Sequence, residues 1–525
     1  MNYNLALPFH ESALRKPQAT ALVVDEKRFS YGDLEGLARK IAGWLERAPD
    51  GGAPRVGILA SRSAITYAGV LGTLWAGGAY VPINPTIPED RLLRILKLTD
   101  MDALIVDEAG MERLTERVLQ QAPQKILVDA AFDALAGPAA QTGTKLMRLD
   151  ALVQDGPEHP AEVADEELAY ILFTSGTTGT PKGVMIEAGS VAAFLDVAQE
   201  RCAFTERDRF SQLSELTFDA SVLDMYSAWG VGAGVYVVPA AQQMAPTKFI
   251  QKHELTVWFA VPSTAAFMER MKMLRPGAFP SLRVSIFAGE ALPLATALAW
   301  KKAAPNSIIE NFYGPTELTV DCIAQRLGDP PLVTRNRGTV AIGREFPGNE
   351  ARVADAEMRF LGPEEEGELV VAGRQVARGY LGDEALTAAQ FPTVEGKRWY
   401  RTGDLVYRDK AGVFHHLGRI DNQVKVLGNR VELEEVEAHL REIVGTGSVA
   451  AVAWPWEDGR AMGIVAFLCA QGVSREAVRE EMKRRVPNYM VPGRIVELEE
   501  MPVSSSSGKV DRKLLAKMLE ESGAK

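Results

Sequence analysis

The sequence lacks the features that mark a disulfide-stabilised, metal-binding or secreted protein. It has only 3 cysteines in 525 residues, and their odd number and scattered positions fit neither a disulfide framework nor a metal site: Cys202, Cys322 and Cys469. The N-terminal stretch MNYNLALPFHESALRKPQ lacks the basic region and the apolar core of a secretory signal. We therefore expect a reducing compartment and a cytoplasmic location.

Membrane-spanning runs and excess positive charge are also absent. One long uncharged run, residues 225–244, is rich in glycine and contains Pro239, which favours a buried turn and strand over a membrane span. The chain carries 58 Lys and Arg residues against 69 Asp and Glu residues, a formal net charge of −11. An acidic chain has no overall attraction to nucleic acid or to an anionic membrane, so we expect neither as a partner.

Short apolar segments alternate along the chain with segments of helical periodicity. AYILFTS (169–175) is apolar, TVWFAVP (256–262) and RVSIFAGE (283–290) alternate between two faces, and LEGLARKIAGWLE (34–46) has helical spacing. This alternation predicts an α/β fold, and 525 residues exceed what one core supports. We predict a large N-terminal domain of layered α/β subdomains over residues 1–420.

A small α+β domain is predicted over residues 421–525. It follows the stretch GRIDNQVKVLGNR (418–430), where the composition changes. Its predicted elements are a charged helix at 431–443, strands at 448–454 and 462–470, and a helix that begins at Ser474 and is stopped by Pro487.

Residues 172–183, LFTSGTTGTPKG, have the composition of an anion-binding loop. Glycine lets the backbone curl, hydroxyl and N–H groups donate hydrogen bonds, and Lys182 adds a positive charge. The loop is not of the Walker type, because Lys182 has no glycine before it and no Ser or Thr after it, and the dinucleotide pattern GxGxxG is absent. Composition alone fits a polar loop between two strands equally well.

The string itself resembles the phosphate loop of the adenylate-forming superfamily, which includes acyl-CoA and aryl ligases, firefly luciferase and nonribosomal peptide synthetase adenylation domains. Further superfamily motifs follow in the expected order: YGPTE (313–317), YRTGD (400–404), GRID (418–421) and SGKVDR (507–512). The amino-acid-activating branch is the most similar, through GGAYVPINP (77–85), FDASV (218–222), GELVVAGRQVARGYL (367–381), NQVKVLGNRVELEEVE (422–437) and VPNYMVP (486–492). The matches span residues 29–513, with Trp75, Asn84 and Leu427 as departures from the branch's usual residues.

The resemblance implies an enzyme that joins a carboxylate to ATP and forms an acyl-adenylate and pyrophosphate, with Mg²⁺ bound. Catalysis should rest on positioning and electrostatic stabilisation, because a carboxylate is a weak nucleophile. The residues implied to hold the pyrophosphate end are Thr174, Ser175, Gly176, Thr177, Thr178 and Lys182. The implied contacts to the rest of ATP and to Mg²⁺ are Tyr313 on adenine, Thr316 on the α-phosphate, Glu317 on Mg²⁺, and Asp404 and Arg419 on the ribose.

The small domain is implied to carry the catalytic lysine and to move. Lys509, in SGKVDR, would bridge the substrate carboxylate and a phosphoryl oxygen as charge shifts during attack. Asp421 would be the hinge about which this domain rotates after adenylation, so that a thiol reaches the adenylate. Gly428 would border the tunnel for that thiol.

Asp219 is the residue that distinguishes an amino-acid substrate from other carboxylic acids. The stretch FDASVLDMY suits a helix with one buried face, so Asp219 and Leu223 can line one pocket. In the branch that this chain resembles, this aspartate pairs with the substrate's α-ammonium group; the alternative is an aspartate that interacts with the helix dipole. The other implied pocket residues are Ala220, Leu223, Phe259, Ile286, Ala288, Phe312, Val320, Asp321 and Lys509.

These side chains predict a small or medium amino acid such as alanine, serine or proline. Asp321 leaves two possibilities, a polar contact to the substrate or a place at a wet rim. The acceptor implied is the phosphopantetheine thiol of a carrier protein in trans, since no carrier or condensation motif accompanies the matched segments. The basic trio Lys483, Arg484 and Arg485 is either a docking patch for that carrier or a solvated helix end.

Three alternative functions stay open. An acyl- or aryl-CoA ligase is disfavoured by Asp219. A catalytically silent nucleotide-binding homologue is disfavoured by the presence of Lys182, Glu317, Asp404 and Lys509. A ligase that passes the adenylate to an amine would share the first half-reaction and differ only in its acceptor.

Overall fold

The computed structural model describes residues 3–45, 52–129, 133–153, 156–175, 181–445, 448–457, 460–469, 473–502 and 510–522. These residues form two compact units. The first contains the described residues of Met1–Pro85, Leu96–Leu172 and Gly183–Gly418, and the second those of Thr86–Ile95, Phe173–Lys182 and Arg419–Lys525. No helix in the described ranges is long and apolar enough to span a bilayer. The predicted α/β class, with a large N-terminal and a smaller C-terminal domain, is confirmed.

A nine-stranded sheet forms one layer of the first unit. Its strands, in spatial order, are Arg344–Glu345, Ile323–Arg326, Ile308–Tyr313, Val284–Phe287, Val257–Ala260, Arg209–Gln212, Gly234–Val237, Thr20–Val24 and Lys27–Ser30. The six strands from Ile308–Tyr313 to Thr20–Val24 pair in parallel, and the outer strands pair antiparallel.

An eight-stranded sheet forms a second layer. In spatial order it contains Gly379–Tyr380, Lys182–Glu187, Leu168–Thr174, Ala79–Ile83, Arg55–Leu59, Ala103–Val106, Lys125–Val128 and Lys145–Arg148. A third, antiparallel sheet contains Asn349–Ala354, Glu366–Gly373, Lys397–Arg408, Thr393–Val394 and Phe414–Arg419. Parallel strands need crossover helices, which accounts for the helices between them.

The helices up to residue 390 connect and cover these sheets. They are Leu7–Arg15, Tyr31–Leu45, Ala64–Trp75, Glu89–Thr99, Glu108–Met111, Glu116–Leu119, Asp133–Thr142, Ala188–Cys202, Ala220–Val222, Ala228–Val231, Thr247–His253, Pro262–Arg270, Leu294–Ala303 and Glu384–Gln390. Tyr31–Leu45 matches the predicted amphipathic helix, because Leu34, Ala38, Ile41 and Leu45 form its buried face. Single 3₁₀ turns lie at Leu149–Ala151, Ala240–Gln242 and Thr316–Leu318.

Alternating side chains divide the core of the first unit in two. Val257 and Phe259 belong to a core shared by both large sheets, whereas Trp258 belongs to a second core on the opposite face of the nine-stranded sheet. Ile286 and Phe287 are divided in the same way on the neighbouring strand. The strand faces predicted from alternation are therefore confirmed.

The second unit has two small sheets and three helices in its C-terminal part. One sheet contains Asn429–Glu432, Gln423–Val426, Arg460–Ala461 and Trp456–Glu457, and the other contains Val449–Ala453, Ile464–Leu468 and Arg494–Glu497. The helices are Leu433–Val444, Arg475–Arg485 and Arg512–Glu521, with a 3₁₀ turn at Asn488–Met490. Ser474 caps the second helix by accepting a hydrogen bond from the Ala477 N–H.

Two features of this unit differ from the sequence prediction. The first charged helix begins at Leu433 rather than at 431, because residues 431 and 432 pair within the hairpin instead. Segments remote in sequence also join the unit. Arg91 Nη1 lies 2.7 Å from Glu435 Oε1, and both side chains are buried. Such a long-range pair leaves no local sequence signal.

Candidate active site

The segment 219–231 in the first unit is helical but irregular. Asp219 precedes the turn Ala220–Val222, which continues as a π-helical turn, Leu223–Ser227, and then as Ala228–Val231. Turns of this kind are rare and often lie at functional sites. Asp219 makes no side-chain capping hydrogen bond, and its Oδ2 atom is buried. Asp219 therefore stands at the N-cap position of this helical segment, so both the binding role and the interaction with the helix dipole stay predictions.

The apolar residues predicted for the pocket belong to one hydrophobic core. Leu223, Phe259, Ile286, Ala288, Phe312 and Val320 are all buried in the core that both large sheets share, and Ala220 packs against it. Phe259 and Ile286 are direct neighbours in the register of two parallel strands. The Phe312 ring packs edge to face against Phe346, with ring centroids 5.4 Å apart, and this contact helps to fix the position of the Phe312 ring.

Asp321 is only 2% exposed, and its Oδ2 atom is buried. The alternative that it sits at a wet rim is therefore wrong. The backbone before it is strained, because Thr319 and Val320 have positive φ values of 55° and 69°. Gly314 is required for this arrangement, since a Cβ there would lie 2.4 Å from the Asp321 Cα.

A second polar group in the first unit centres on Asp404, which is 6% exposed. The Tyr313 hydroxyl donates to Asp404 Oδ2 at 2.5 Å, and His416 Nε2 lies 3.1 Å from Oδ1. Burial and the Asp404 charge raise the pKa of Tyr313 well above its usual value, so the phenol stays a donor. The sequence interpretation named Tyr313 and Asp404 separately and missed His416, whose only signal was its place on the strand after YRTGD.

Glu317 follows Thr316 in the 3₁₀ turn Thr316–Leu318 and is fully buried. The Tyr380 hydroxyl donates to its Oε1 atom at 2.9 Å. Among the residues that the structure describes, no group of three or more His, Cys, Asp or Glu side chains is arranged to hold a metal ion. One carboxylate still fits Mg²⁺, which binds through few protein ligands plus substrate phosphates and water. Tyr380 carried no sequence signal for this contact.

The second unit contains both flanks of the glycine-rich loop. Ser175 Oγ donates to the Arg430 carbonyl at 3.0 Å, and Lys182 Nζ lies 3.8 Å from Glu432 Oε1. The Thr174 hydroxyl is buried and has no hydrogen-bond partner among the described residues. Gly176, Thr177 and Thr178, together with the predicted catalytic Lys509, lie outside the described residues.

The predicted hinge residue is held by an ion pair. The Arg419 guanidinium binds Asp421 through two contacts, Nε to Oδ1 at 2.8 Å and Nη2 to Oδ2 at 2.5 Å. Arg419 was predicted to bind the ribose. In the second unit its guanidinium binds Asp421, and the ribose role stays a prediction. Leu427 and Gly428 form the left-handed turn of the following hairpin, with φ values of 49° and 83°. A glycine suits that backbone, and Leu427 is 49% exposed beside it.

The basic trio at the end of the helix Arg475–Arg485 is compensated by acidic neighbours. Lys483 pairs with Glu480, Arg484 with Glu481, and Arg485 with Glu442 and Glu481. Exposed pairs of this kind are typical of a solvated helix face. The structure therefore favours the solvated helix end over a docking patch.

Comparisons with known proteins find similar sequences and structures over almost the whole chain. The sequence profile of the family described as AMP-binding enzyme matches residues 9–381. The chain is 34% identical over 517 residues to an L-proline–[L-prolyl-carrier protein] ligase of Pseudomonas fluorescens, which covers 97% of this chain and 98% of that protein. It is 35% identical over 524 residues to tyrocidine synthase 2 of Brevibacillus parabrevis, but it spans only 13% of that protein.

A solved structure is similar over nearly the whole length. It is the Vibrio cholerae adenylation domain AlmE in complex with glycyl-adenosine-5′-phosphate, with a TM-score of 0.87 and 30% sequence identity. The similarity covers 99% of this chain and 98% of that one.

Proposed function

Since the chain belongs to the AMP-binding enzymes and is an AMP-forming ligase, we propose that its substrate is an amino acid, which it activates as aminoacyl-adenylate with release of pyrophosphate. The observation that carries this proposal is the Asp219 carboxylate, whose Oδ2 atom is buried one turn from the pocket residue Leu223. A carboxylate with one oxygen shielded from water binds a cation favourably. The α-ammonium group of an amino acid supplies one, whereas a fatty or aryl acid does not.

The substrate side chain is proposed to be small or medium in size. Leu223, Phe259 and Phe312 are bulky and each at most 3% exposed, and such side chains at the pocket would limit the size of a substrate. The similar proteins act on or hold small residues, proline in the Pseudomonas ligase and glycine in the AlmE complex. The buried Asp321 offers a polar contact on the same side, which keeps serine beside alanine, glycine and proline among the candidates.

The residues proposed to bind ATP are described unit by unit. In the first unit, Tyr313 binds the adenine, Thr316 the α-phosphate and Asp404 the ribose. The loop flanked by Ser175 and Lys182 holds the leaving pyrophosphate, because N–H groups, hydroxyls and a lysine charge stabilise phosphate oxygens.

Glu317 is the residue proposed to hold Mg²⁺, with its orientation fixed by the hydrogen bond from Tyr380. When bound, Mg²⁺ neutralises phosphate charge and so supports attack by an anionic carboxylate. In this step the protein itself holds the buried Glu317 carboxylate in position.

Lys509 is proposed to stabilise the charge that moves from the substrate carboxylate to the phosphoryl oxygens. Residues 421–525, which carry it, are proposed to rotate about Asp421 between the two half-reactions. The ion pair between Asp421 and Arg419 is a local contact that such a rotation has to break or carry along.

The acceptor is proposed to be the phosphopantetheine thiol of a carrier protein that acts in trans, with Gly428 beside the thiol's path. The Pseudomonas relative is named for a carrier-protein acceptor, and this chain covers 98% of it. We propose no nucleic acid or membrane as partner and a cytoplasmic location.

The test of substrate class is ATP–pyrophosphate exchange with the twenty amino acids and a set of simple carboxylic acids. Exchange with one or a few small amino acids supports the proposal. Exchange only with an acid that lacks an α-ammonium group refutes it. The Asp219→Asn variant should lose amino-acid-dependent exchange, and Tyr67→Phe, a buried change elsewhere in the first unit, is the control for general damage.

The acceptor is tested separately, because the first half-reaction does not reveal it. Loading of phosphopantetheinylated carrier proteins is measured beside formation of amides from free amines. Amide formation without carrier loading would replace the thiol acceptor by an amine and leave the activation step intact.

A further inference from the structure

Gln375 is a buried glutamine of the first unit, only 1% exposed, and its side chain binds one short turn of backbone. Its Nε2 atom donates to three carbonyls of that turn, those of Leu318 at 3.3 Å, Thr319 at 3.2 Å and Asp321 at 2.8 Å. The Thr319 hydroxyl in turn donates to the Gln375 carbonyl at 2.8 Å. One carboxamide is thus bonded to a turn that lies 54 to 57 residues away along the chain.

The turn 318–321 has a backbone conformation that its residues do not prefer. Thr319 and Val320 have positive φ values of 55° and 69°, and both are β-branched residues, for which the left-handed region is unfavourable. Strain of this kind persists only where the surrounding structure holds it in place. The hydrogen bonds from Gln375 to three carbonyls of the turn stabilise this conformation.

Asn349 fixes the direction in which the Gln375 carboxamide points. Asn349 Nδ2 donates to Gln375 Oε1 at 2.6 Å, and Asn349 Oδ1 accepts from the Gln375 backbone N–H at 3.4 Å. If the carboxamide were turned over, its oxygen would face three carbonyl oxygens and its NH₂ group would face another amide donor. The hydrogen-bond network therefore permits one orientation, in which the NH₂ group faces the turn.

The turn carries two residues predicted for the substrate pocket, Val320 and Asp321, which are 3% and 2% exposed. Glu317, which is proposed to hold Mg²⁺ and directly precedes the turn, has contacts of its own. Its side chain accepts from the Tyr380 hydroxyl at 2.9 Å, and its carbonyl accepts from the Ala377 N–H at 2.9 Å. Removal of the glutamine carboxamide should therefore loosen the turn and leave the proposed Mg²⁺ ligand in position.

We propose that Gln375 is a positioning residue for substrate specificity, whose carboxamide holds the turn 318–321 so that Val320 and Asp321 set the size and polarity of the pocket for the substrate side chain. The inference rests on the proposed function, because it takes Val320 and Asp321 as pocket residues. Gln375 does not contact the substrate in this proposal; it acts through the turn.

Gln375→Met in the full-length enzyme tests this, because methionine has nearly the same length and volume but cannot donate a hydrogen bond. ATP–pyrophosphate exchange is measured with the twenty amino acids and the simple carboxylic acids, and the substrate is whichever gives the fastest exchange. We expect its KM to rise about tenfold, the scale of one or two hydrogen bonds, with the KM for ATP unchanged. The preference for this substrate over the second-best acid should fall severalfold. Gln375→Glu turns an oxygen toward three carbonyls, so its effect should be at least as large.

Asn4→Leu is the matched control for the loss of a buried side-chain amide. Asn4 is 5% exposed, and its Nδ2 atom donates to the carbonyls of Leu74 at 2.7 Å and Ala161 at 2.8 Å. This control should lower the melting temperature and leave the substrate KM and the preference unchanged. Asn349→Ala is a milder variant at a partly buried position that removes the group orienting the Gln375 carboxamide. It should raise the same KM about threefold, and it decides the question if Gln375→Met does not fold.

An unchanged substrate KM and preference in the Gln375 and Asn349 variants would overturn the inference. Equal rises in the KM for the substrate and for ATP would overturn it as well, because they would indicate general damage. Failure of the proposed function gives a different result. If the fastest substrate lacks an α-ammonium group, or if Asp219→Asn leaves amino-acid-dependent exchange unchanged, the assignment of Asp219 is wrong, and the Gln375 variants still report whether the turn shapes the pocket.

Discussion

Loss of the Tyr313 hydroxyl should weaken both the fold around Asp404 and the binding of ATP. In Tyr313→Phe the Asp404 carboxylate, 6% exposed, loses a donor at 2.5 Å and keeps the contact from His416 at 3.1 Å. A hydrogen bond to a charged group contributes about 1.5–3 kcal/mol, and little water reaches this carboxylate to replace it. We expect about 2 kcal/mol of lost stability and a three- to tenfold rise in the Kd for ATP.

The assay pairs thermal unfolding, followed by fluorescence, with calorimetric titration of ATP. Tyr407→Phe is the control, since Tyr407 lies in the same sheet as Asp404, stacks on His415 at 4.6 Å, and makes no hydrogen bond through its hydroxyl to another described residue. The reasoning is refuted if Tyr313→Phe matches this control in melting temperature and in ATP affinity. A loss of ATP affinity without a loss of stability would mean that the Tyr313 hydroxyl contributes mainly to ATP binding and not to the stability of the fold.

The other predictions concern residues of the proposed reaction. Lys509→Ala should slow adenylation by roughly 10²–10³-fold, the scale for one transition-state donor, and near-normal ATP–pyrophosphate exchange would contradict that role. Asp421→Pro should leave exchange measurable and block thioester formation, because it fixes the backbone at the proposed hinge; normal loading of a carrier protein would refute the hinge. Tyr380→Phe should raise the Mg²⁺ concentration for half-maximal exchange several-fold, because Glu317 loses the donor that orients it, and an unchanged Mg²⁺ titration would exclude this role.

The faces of the strands could be predicted from the sequence. The alternation of Val257, Trp258 and Phe259 predicts which side chains share a face, and the structure divides them between two cores in that way. The pocket positions follow from motif matches and then from the same alternation. Burial of Asp321 could not be read from the sequence, because it depends on a strained turn and on the close approach of Gly314.

Contacts between segments far apart in sequence could not be predicted from the sequence. Tyr380 and Glu317 are 63 residues apart, and His416 meets Asp404 across two strands of one sheet. Ser175 meets Arg430 over 255 residues. Such pairs are set by tertiary packing, which has no period or local motif that a single sequence displays. The π-helical turn after Asp219 could not be predicted either, because its residues also fit an ordinary α-helix.

The second unit is discontinuous in sequence, and this matters for anyone who recombines such enzymes. An exchange of the last hundred or so residues with those of a relative would bring in a foreign partner for Arg91, whose guanidinium meets Glu435 at 2.7 Å in a buried pair. Removing one member of a buried ion pair destabilises a protein by about 3–5 kcal/mol. Chimaeras cut at Gly418 should therefore express as folded protein only when the donor keeps an acid at position 435, or when residues 86–95 and 173–182 are transplanted with it.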